Sequence, residues 1–236
     1  MLDIDSASQA ADLVEGWLSE AQGRALYAAA AAVRHRGSIV EIGSWKGRST
    51  VWLAYGARAA GARIHAVDPH QDSREDPGAK TLAEFKANLV RAGVDKTVEA
   101  MVMTSAQAAA VLTGPVELLF VDGDHSFQGA RSDAEIWLPR VITGGIVMFH
   151  DVATSGYSGP RRVFQQSICR SPEFHRIRTV GSMAIAERTQ RRTRREALRA
   201  RLFDLALFFY DGEASLKRSL RRLRGVNSDP FTATSC

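Results

Sequence analysis

Ionisable side chains recur in this chain at the points where predicted β-strands end. Because the carboxyl ends of parallel strands meet at one edge of a sheet, such side chains converge there. Placing so many charges together is unfavourable unless ligands, metal ions or opposite charges compensate them. The pattern therefore predicts a binding or catalytic site at this edge. Its candidate residues are Glu41, Asp68, Asp122, His125, His150 and Asp151.

Two carboxylates and a histidine in this set have the composition of a cation site. Asp122 follows the fourth predicted strand, and His150 and Asp151 follow the fifth. Carboxylate oxygens suit Mg²⁺ or Mn²⁺, and the imidazole of His150 tolerates Mn²⁺ better than Mg²⁺. A divalent ion next to a hydroxyl lowers the pKa of that hydroxyl. The alternative is that Asp122 and Asp151 only cap their strands.

His125 lies three residues after Asp122, on the loop that covers the same predicted site. An imidazole with its ordinary pKa of about 6.5 can accept a proton near neutrality. We therefore expect His125 to act as a general base, with His150 as the competing base if no metal ion is bound. The alternative for His125 is a surface histidine without a catalytic role.

A glycine turn follows the first predicted strand and opens a helix near Lys46. Glycine lets a ligand approach the backbone, and free N–H groups at a helix start attract anionic groups. The spacing Glu41-x-Gly43-x-x-x-Gly47 is not the dinucleotide pattern, and Trp45 would obstruct a pyrophosphate. A nucleoside without phosphates fits better, and S-adenosylmethionine is a ligand of this kind. The candidate binding residues of the turn are Glu41, Gly43, Ser44, Gly47 and Ser49.

Three further residues are candidates for binding the same nucleoside. Asp68 lies 21 residues after Gly47, about the interval at which an acid reaches ribose hydroxyls in a strand–helix–strand unit. The alternative for Asp68 is a strand-end cap. Ser105 follows the third strand and either contacts the adenine or caps the next helix. Asp122, after the fourth strand, is a candidate for the cofactor as well as for the cation.

The elements that must position these residues alternate between short apolar strands and helical segments. This is the pattern of a doubly wound, mostly parallel sheet, and we predict a seven-stranded α/β fold that closes with an antiparallel hairpin. Two helices precede the first strand, at 6–20 and 22–36, with Trp17 on the apolar face of the first. Gly144-Gly145 predicts a turn before the fifth strand. The later predicted strands are 63–67, 98–102, 117–121, 146–149, 174–179 and 183–187.

Length and composition describe an ordinary globular domain with an added tail. The chain has 236 residues, of which 45% are hydrophobic and 24% charged. Its two cysteines lie far apart and predict neither a disulfide framework nor a zinc site. No apolar run is long enough to span a membrane and the N-terminus lacks a signal-peptide pattern, so we expect a cytoplasmic protein.

The basic residues concentrate near the C-terminus. Residues 188–224 contain twelve lysines and arginines and four acids, a local charge of +8, whereas the net charge is +5. We divide the chain into a domain over 1–187 and a basic helical tail over 188–236. We expect the tail to pack on the domain or on a second copy of a homo-oligomer. Contact with an anionic membrane surface is the alternative, and nucleic acid is not expected because aromatic residues are poorly interleaved with the basic ones.

Four blocks of the sequence contain most of these features: Val40–Thr50, Ala66–His70, Phe120–Phe127 and Gly144–Val152. Together they resemble class I S-adenosylmethionine-dependent methyltransferases, in the group related to macrocin O-methyltransferase and the cephalosporin hydroxylase-type proteins. The resemblance spans residues 37–187 and implies an O-methyltransferase acting on a hydroxyl of a sugar, glycoside or polysaccharide precursor. It also implies that Asp122, His150 and Asp151 hold Mg²⁺, with His150 in place of the family's acid, and that His125 is the base.

Three other functions are compatible with the sequence. A metal-independent methyltransferase acting on a small molecule other than a sugar would use the carboxylates only as strand caps. A non-catalytic S-adenosylmethionine-binding protein would leave His125 and His150 without a chemical role. An oxidoreductase built on the same type of sheet would bind NAD.

Overall fold

The computed structural model describes the backbone of residues 3–71 and 81–223, and side chains as far as Phe208 in the last helix. The strands are β1 (Ser38–Ile42), β2 (Ile64–Val67), β3 (Val98–Met101), β4 (Val116–Val121), β5 (Val141–Phe149), β6 (Phe174–Val180) and β7 (Met183–Arg188). They form one seven-stranded sheet in the order β3-β2-β1-β4-β5-β7-β6, in which β7 runs antiparallel to both of its neighbours. The predicted doubly wound, mostly parallel α/β fold is confirmed.

Helices cover both faces of this sheet. They are α1 (Ile4–Asp12), α2 (Glu20–Ala31), α3 (Arg48–Ala59), α4 (Thr81–Arg91), α5 (Ser105–Val111), α6 (Phe127–Trp137), α7 (Gly159–Phe164) and α8 (Arg194–Leu223). A π-helical turn, Gln165–Cys169, continues α7. Leu118 and Phe120 of β4 point into the hydrophobic cluster formed with α1–α4, whereas Leu119 and Val121 point into the cluster formed with α5–α8. Because β4 is covered on both faces, every one of its residues is buried and apolar residues follow one another without alternation.

The two N-terminal helices are shorter than predicted. Residues 13–19, expected within the first helix, connect α1 to α2. A capping box sets the start of α2: the Ser19 hydroxyl accepts a hydrogen bond from the Gln22 backbone N–H, and the Gln22 side chain accepts one from the Ser19 N–H. As a consequence Trp17 lies in a loop and is 70% exposed.

Strand β5 is longer than predicted at its start. Gly144 and Gly145 lie within it, and no turn precedes Ile146. The pairing with β4 shifts between Val141 and Ile146, which makes a bulge, and Gly144 takes a φ of +80° there. The glycine pair therefore marks a bulge inside β5 and not the beginning of that strand.

Helix α2 packs very closely on α3 because glycine stands at both contact points. A Cβ on Gly23 would lie 2.1 Å from Cε2 of Trp52, and a Cβ on Gly56 would lie 2.3 Å from the carbonyl oxygen of Tyr27. This packing holds α2 against the edge of the sheet where the strands end. Gln22 of α2 reaches that edge.

The order of the strands reverses between β1 and β4, and open α/β sheets bind ligands at such a point. The loops after these two strands touch, because a Cβ on Gly43 would lie 2.2 Å from the carbonyl oxygen of Asp122. The predicted glycine turn and the predicted cation residues are therefore direct neighbours.

The described part of the predicted tail packs on the domain. Helix α8 lies against β6 and the π-helical turn, and Phe203 and Leu207 join the cluster on the second face of the sheet. The amide nitrogen of Gln165 donates to the carbonyl oxygen of Asp204 at 3.1 Å. Among the described residues no helix has the length and apolar character needed to cross a bilayer.

Candidate active site

The glycine turn after β1 is held in a conformation that needs glycine twice. Gly43 and Gly47 have φ values of +86° and +95°, and Trp45 between them has a φ of +42°. Helix α3 then begins at Arg48, two residues later than predicted. A left-handed conformation at a bulky residue such as Trp45 is unfavourable, and such positions concentrate at functional sites.

The sequence suggested that the backbone N–H groups of the turn would be free, but two of them donate hydrogen bonds within the protein. Those of Ser44 and Trp45 donate to Oδ2 of Asp68 at 3.0 and 2.8 Å, and the N–H of His70 donates to Oδ1 at 2.7 Å. Asp68 therefore ties the end of β2 to the turn after β1. A carboxylate has about four acceptor positions, and three are used in this way.

Glu41 lies beneath the turn and not on its surface. Its side chain is fully buried, and its two carboxyl oxygens accept hydrogen bonds from the hydroxyls of Ser49 and Thr50, each at 2.6 Å. Burial raises the pKa of Glu41 to about 8, although the two hydroxyls act in the opposite direction. The structure thus places Glu41 and Ser49 as residues that join β1 to the start of α3, below the expected cofactor surface.

The hydroxyl of Ser44 has a different environment. Ser44 is 3% exposed, and its Oγ is buried without a hydrogen-bond partner among the described residues. A buried polar atom without a partner is unfavourable, so the site offers an unused donor and acceptor in the glycine turn.

Ser105 does not cap helix α5. Thr104 is the N-cap and forms a capping box with Gln107. The Ser105 hydroxyl accepts a hydrogen bond from Trp137 Nε1 at 2.9 Å and also bonds to Asp133, whose pKa burial raises to about 6. The hydroxyl of Ser105 is therefore bonded to polar groups of α6. These bonds favour a role in packing α5 against α6 over a contact with a nucleoside.

Three of the predicted residues form the group best suited to a cation. Asp122, His125 and Asp151 each offer a ligand atom, and these atoms lie within 4.8 Å of one another. His125 Nε2 is 3.1 Å from Asp151 Oδ2 and 3.7 Å from Asp122 Oδ1. We refer to these three residues as the carboxylate–imidazole cluster. The sequence assigned His150 to this group and His125 to the role of base, and both assignments stay predictions.

His150 lies behind the cluster and is 7% exposed. Its Nδ1 is 3.2 Å from Asp122 Oδ1 and 3.4 Å from Asp151 Oδ1, so that it can donate to both carboxylates. Its Nε2 is 3.3 Å from the side-chain nitrogen of Gln22, which faces it because the Gln22 oxygen accepts from Ser19. Both ring nitrogens of His150 therefore lie within hydrogen-bonding distance of protein groups.

The carboxylates and imidazoles compensate one another electrically. Burial disfavours positive charge on both histidines, but the hydrogen bonds and charges of Asp122 and Asp151 outweigh it and raise the pKa of His125 to about 9 and that of His150 to about 10. The imidazoles in turn hold the pKa of Asp151 far below its ordinary value, against the effect of burial.

A loop after β5 completes this side of the site. Tyr157 stacks on His125, with ring centroids 4.2 Å apart, and Asp151 has a φ of +54°. Arg161 is fully buried and donates to the carbonyl oxygen of Thr154 at 2.6 Å, which braces the loop from behind.

Sequence reasoning missed two contributors from the N-terminal elements. Gln22 belongs to a recognisable capping box, but its contact with His150 spans 128 residues and has no local signal. Trp17 stacks on Trp45 with ring centroids 4.9 Å apart, which places an exposed aromatic ring over the glycine turn. Helical spacing suggested that Trp17 was a packing residue.

Comparisons with known proteins give a consistent result. Residues 40–152 match the family model described as a methyltransferase domain. The chain is 33% identical to a catechol O-methyltransferase of Mycobacterium tuberculosis over 153 residues, covering 61% of this chain and 65% of the relative, slightly less than two thirds of its length.

Solved structures share the fold. The cofactor-bound protein Rv0187 from MTB has a TM-score of 0.59 at 25% identity, with 78% of this chain and 88% of that chain covered. An O-methyltransferase from Bacillus cereus in complex with SAH has a TM-score of 0.59 at 23% identity, with 79% and 90% covered.

Proposed function

We propose that this chain, a relative of the class I S-adenosylmethionine-dependent O-methyltransferases, transfers the methyl group of S-adenosylmethionine to a hydroxyl of a sugar, glycoside or polysaccharide precursor. The matched methyltransferase domain and the shared fold support a relationship to methyltransferases, as the sequence blocks indicated. One observation supports the activity most directly: the carboxylate–imidazole cluster lies beside the glycine turn, at the reversal point of the strand order.

The donor is proposed to bind at the ends of β1 and β2. Gly43 and Gly47 allow the left-handed conformation of the turn, and the Ser44 hydroxyl, which has no partner among the described residues, supplies a polar contact. Asp68 retains about one acceptor position for a ribose hydroxyl. Glu41 and Ser49 would act from below, by holding the turn in place.

A divalent cation is proposed to bind between Asp122 and Asp151, with His125 as a third ligand. Two carboxylate oxygens and one imidazole nitrogen fit Mn²⁺, and Mg²⁺ somewhat less well. When bound, such a cation lowers the pKa of an acceptor hydroxyl and orients its oxygen. His150 is proposed to orient both carboxylates through its Nδ1, and not to bind the cation itself.

Methyl transfer forms the bond between the acceptor oxygen and the methyl carbon while the bond from that carbon to the donor sulfur breaks. The hydroxyl proton leaves, and S-adenosylhomocysteine is the second product. Without a cation, the residue nearest to accept the proton is His125. Because its pKa is raised to about 9, only the fraction of molecules with a neutral imidazole can accept it. Most of the rate is expected to come from holding donor and acceptor in line.

Aromatic rings flank the proposed acceptor position. Tyr157 covers His125, and the exposed Trp17 stacks on Trp45. Such faces suit a sugar ring and also a flat aromatic ring. A catechol is therefore the second candidate acceptor, favoured by the 33% identity to the mycobacterial catechol O-methyltransferase.

The test is methyl transfer from labelled S-adenosylmethionine to a panel of hydroxylated saccharides and catechols, with and without a chelator. We expect product with saccharides, and loss of product with chelator that Mn²⁺ restores. Activity unaffected by chelator would contradict the cation and leave His125 as the base. Calorimetry with S-adenosylhomocysteine separates the steps, because absence of binding by folded protein would refute the donor site as well.

Substitution of the carboxylates provides the first prediction. Asp122→Asn and Asp151→Asn should each lower methyl transfer by about 100-fold or more, while S-adenosylhomocysteine still binds. Asp124→Asn is the matched control, because Asp124 lies on the same loop and, among the described residues, bonds to Ser126. Equal activity of all three variants would show that the cluster has no part in the reaction.

A further inference from the structure

Helix α8 presents two apolar faces, and the domain covers one of them. Ala200 and Leu207 are 2% and 5% exposed, and Phe203 packs against Phe164 with ring centroids 6.3 Å apart. Leu198, Leu202 and Leu205 are 60%, 58% and 52% exposed. Their spacing of four and three residues places them on one stripe, on the side of the helix away from the domain.

The acidic residues of the described part of α8 are used on the inner side. Glu196 accepts from Thr193 at the start of the helix and bonds to His175 Nδ1 at 2.7 Å. Asp204 bonds to Arg170 Nε at 3.1 Å. Over residues 194–208 the outward face therefore carries leucines and arginines without an acid.

The arginines border the leucine stripe and continue into a cleft. Arg194, Arg195, Arg199 and Arg201 are exposed, and the described residues include no acidic side chain in an ion pair with any of them. The cleft has a volume of about 750 Å³ and lies where α8 begins. It is lined by Arg170, Arg191, Arg192, Arg194 and Arg201, with Asp204 as its acid.

This surface is remote from the proposed active site. The cleft adjoins Pro172, just before β6 begins, and β6 runs parallel to β5 through their shared antiparallel neighbour β7. It therefore lies at the edge of the sheet where the parallel strands begin, whereas the carboxylate–imidazole cluster lies where they end. A ligand in the cleft would not be the methyl acceptor.

We propose that the outward face of α8 binds the surface of an anionic lipid bilayer. The three leucines would enter the boundary between headgroups and acyl chains, and the arginines on the face and in the cleft would bind lipid phosphates. Amphipathic helices with arginines beside an apolar stripe bind membranes in this way, without spanning them. The guanidinium group matches the geometry of phosphate particularly well.

Charge and apolar surface together favour an anionic bilayer over the other possible partners of the outward face of α8. A second copy of the chain would bring arginines against arginines, which is repulsive. A nucleic acid would neutralise the arginines but would leave the leucines exposed to water. An anionic bilayer compensates the charge and also covers the apolar stripe.

Vesicle flotation of the full-length protein tests the proposal. We expect binding to vesicles that contain phosphatidylglycerol and little binding to vesicles of phosphatidylcholine alone. High salt should weaken the binding by screening the charges. Equal binding to both kinds of vesicle, or to neither, would overturn the proposal.

Paired variants assign the binding to this face. Leu198→Gln/Leu202→Gln should reduce the partition coefficient by about 10-fold or more, because the buried apolar area is lost. The control Val90→Gln/Val111→Gln changes residues that are 64% and 61% exposed elsewhere, and should bind as the unsubstituted protein does. Arg195→Gln/Arg199→Gln should reduce the partition coefficient by about 30-fold, whereas Arg131→Gln/Arg178→Gln should not.

Sedimentation and nucleic-acid binding supply the opposing outcomes. If the unsubstituted protein is a dimer and the leucine variant a monomer, the stripe is an interface between copies and the proposal is wrong. If DNA competes with vesicles and the leucine variant binds DNA and vesicles normally, the arginines alone act as a nucleic-acid surface. None of these measurements depends on methyl transfer, so failure here leaves the proposed activity untouched.

Discussion

The acids in this site differ in role although they occupy similar positions in the sequence. Asp122 and Asp151 face one another across the ends of β4 and β5 and bond to imidazoles. Asp68 binds three backbone N–H groups, and Glu41 is buried beneath hydroxyls. The partners of each carboxyl, and not its place at a strand end, determine whether it can meet a ligand.

Glu41 provides a prediction at this scale. Its pKa is raised from an ordinary 4.5 to about 8, so between these values the folded state holds a proton that the unfolded state has released. Its contribution to stability therefore falls as pH rises through this window, by up to about 1.4 kcal/mol per pH unit. Glu41→Gln removes this dependence. Between about pH 5 and pH 8 the free energy of unfolding of the variant should therefore fall by about 3 kcal/mol less than that of the unsubstituted protein.

Urea unfolding at the two pH values, compared between the two proteins, measures this difference. Comparison with the variant removes the contributions of other titrating groups such as Asp133. Identical slopes in both proteins would mean that the buried carboxyl is ionised in the folded state.

At the scale of elements, the contact between α2 and α3 has a further consequence. It holds α2 so close to the sheet that Gln22 reaches His150, which in turn bonds to both carboxylates. A helix far from the site in sequence thereby becomes part of its support. The close approach requires glycine at position 23.

We therefore predict that Gly23→Ala destabilises the protein. Alanine favours helix formation by about 1 kcal/mol over glycine, but its Cβ would lie 2.1 Å from the Trp52 ring. Overpacking of this kind is unfavourable by about 1–3 kcal/mol, so the net free energy of unfolding should fall. Gly114→Ala is the control, because a Cβ there meets nothing within 4 Å. Thermal unfolding of both variants gives the answer, and equal midpoints would show that α2 can move away from α3 freely.

At the scale of the whole molecule, the basic tail is not an independent appendage in its described part. Its inner face continues the hydrophobic cluster on the second face of the sheet, and Asp204 and Glu196 bond to residues of the domain. We propose that residues 188–208 unfold together with the domain, in place of the boundary at 187 that the composition suggested.

Leucines on opposite faces of α8 test this. Leu207→Ala should lower the free energy of unfolding by about 2–4 kcal/mol, because Leu207 is buried in the core. Leu202→Ala should change it by less than about 0.5 kcal/mol, because that side chain is 58% exposed. A single denaturant transition is expected in both variants. If Leu207→Ala proved as stable as Leu202→Ala, the helix would not be part of the folded domain.

The sequence by itself determined the sheet and the edge at which the site lies. Strands alternated with helices and charged residues followed the strands, so a local pattern was enough to place Asp68, Asp122 and Asp151 at one edge of the sheet. Glycine spacing likewise located the turn, because only glycine adopts the left-handed conformation there without penalty.

The tertiary structure alone decided which of these residues face the site. We propose that His125 and not His150 meets a ligand, because Gln22, more than a hundred residues away in sequence, contacts one nitrogen of His150. Glu41 lies below the turn because hydroxyls of the next helix bind its carboxyl oxygens. Trp17 lies in a loop and not in a helix because the capping box of Ser19 sets the start of α2. Local patterns encode the period and end of an element, whereas the direction of a side chain depends on partners that only the packed chain brings within hydrogen-bonding distance.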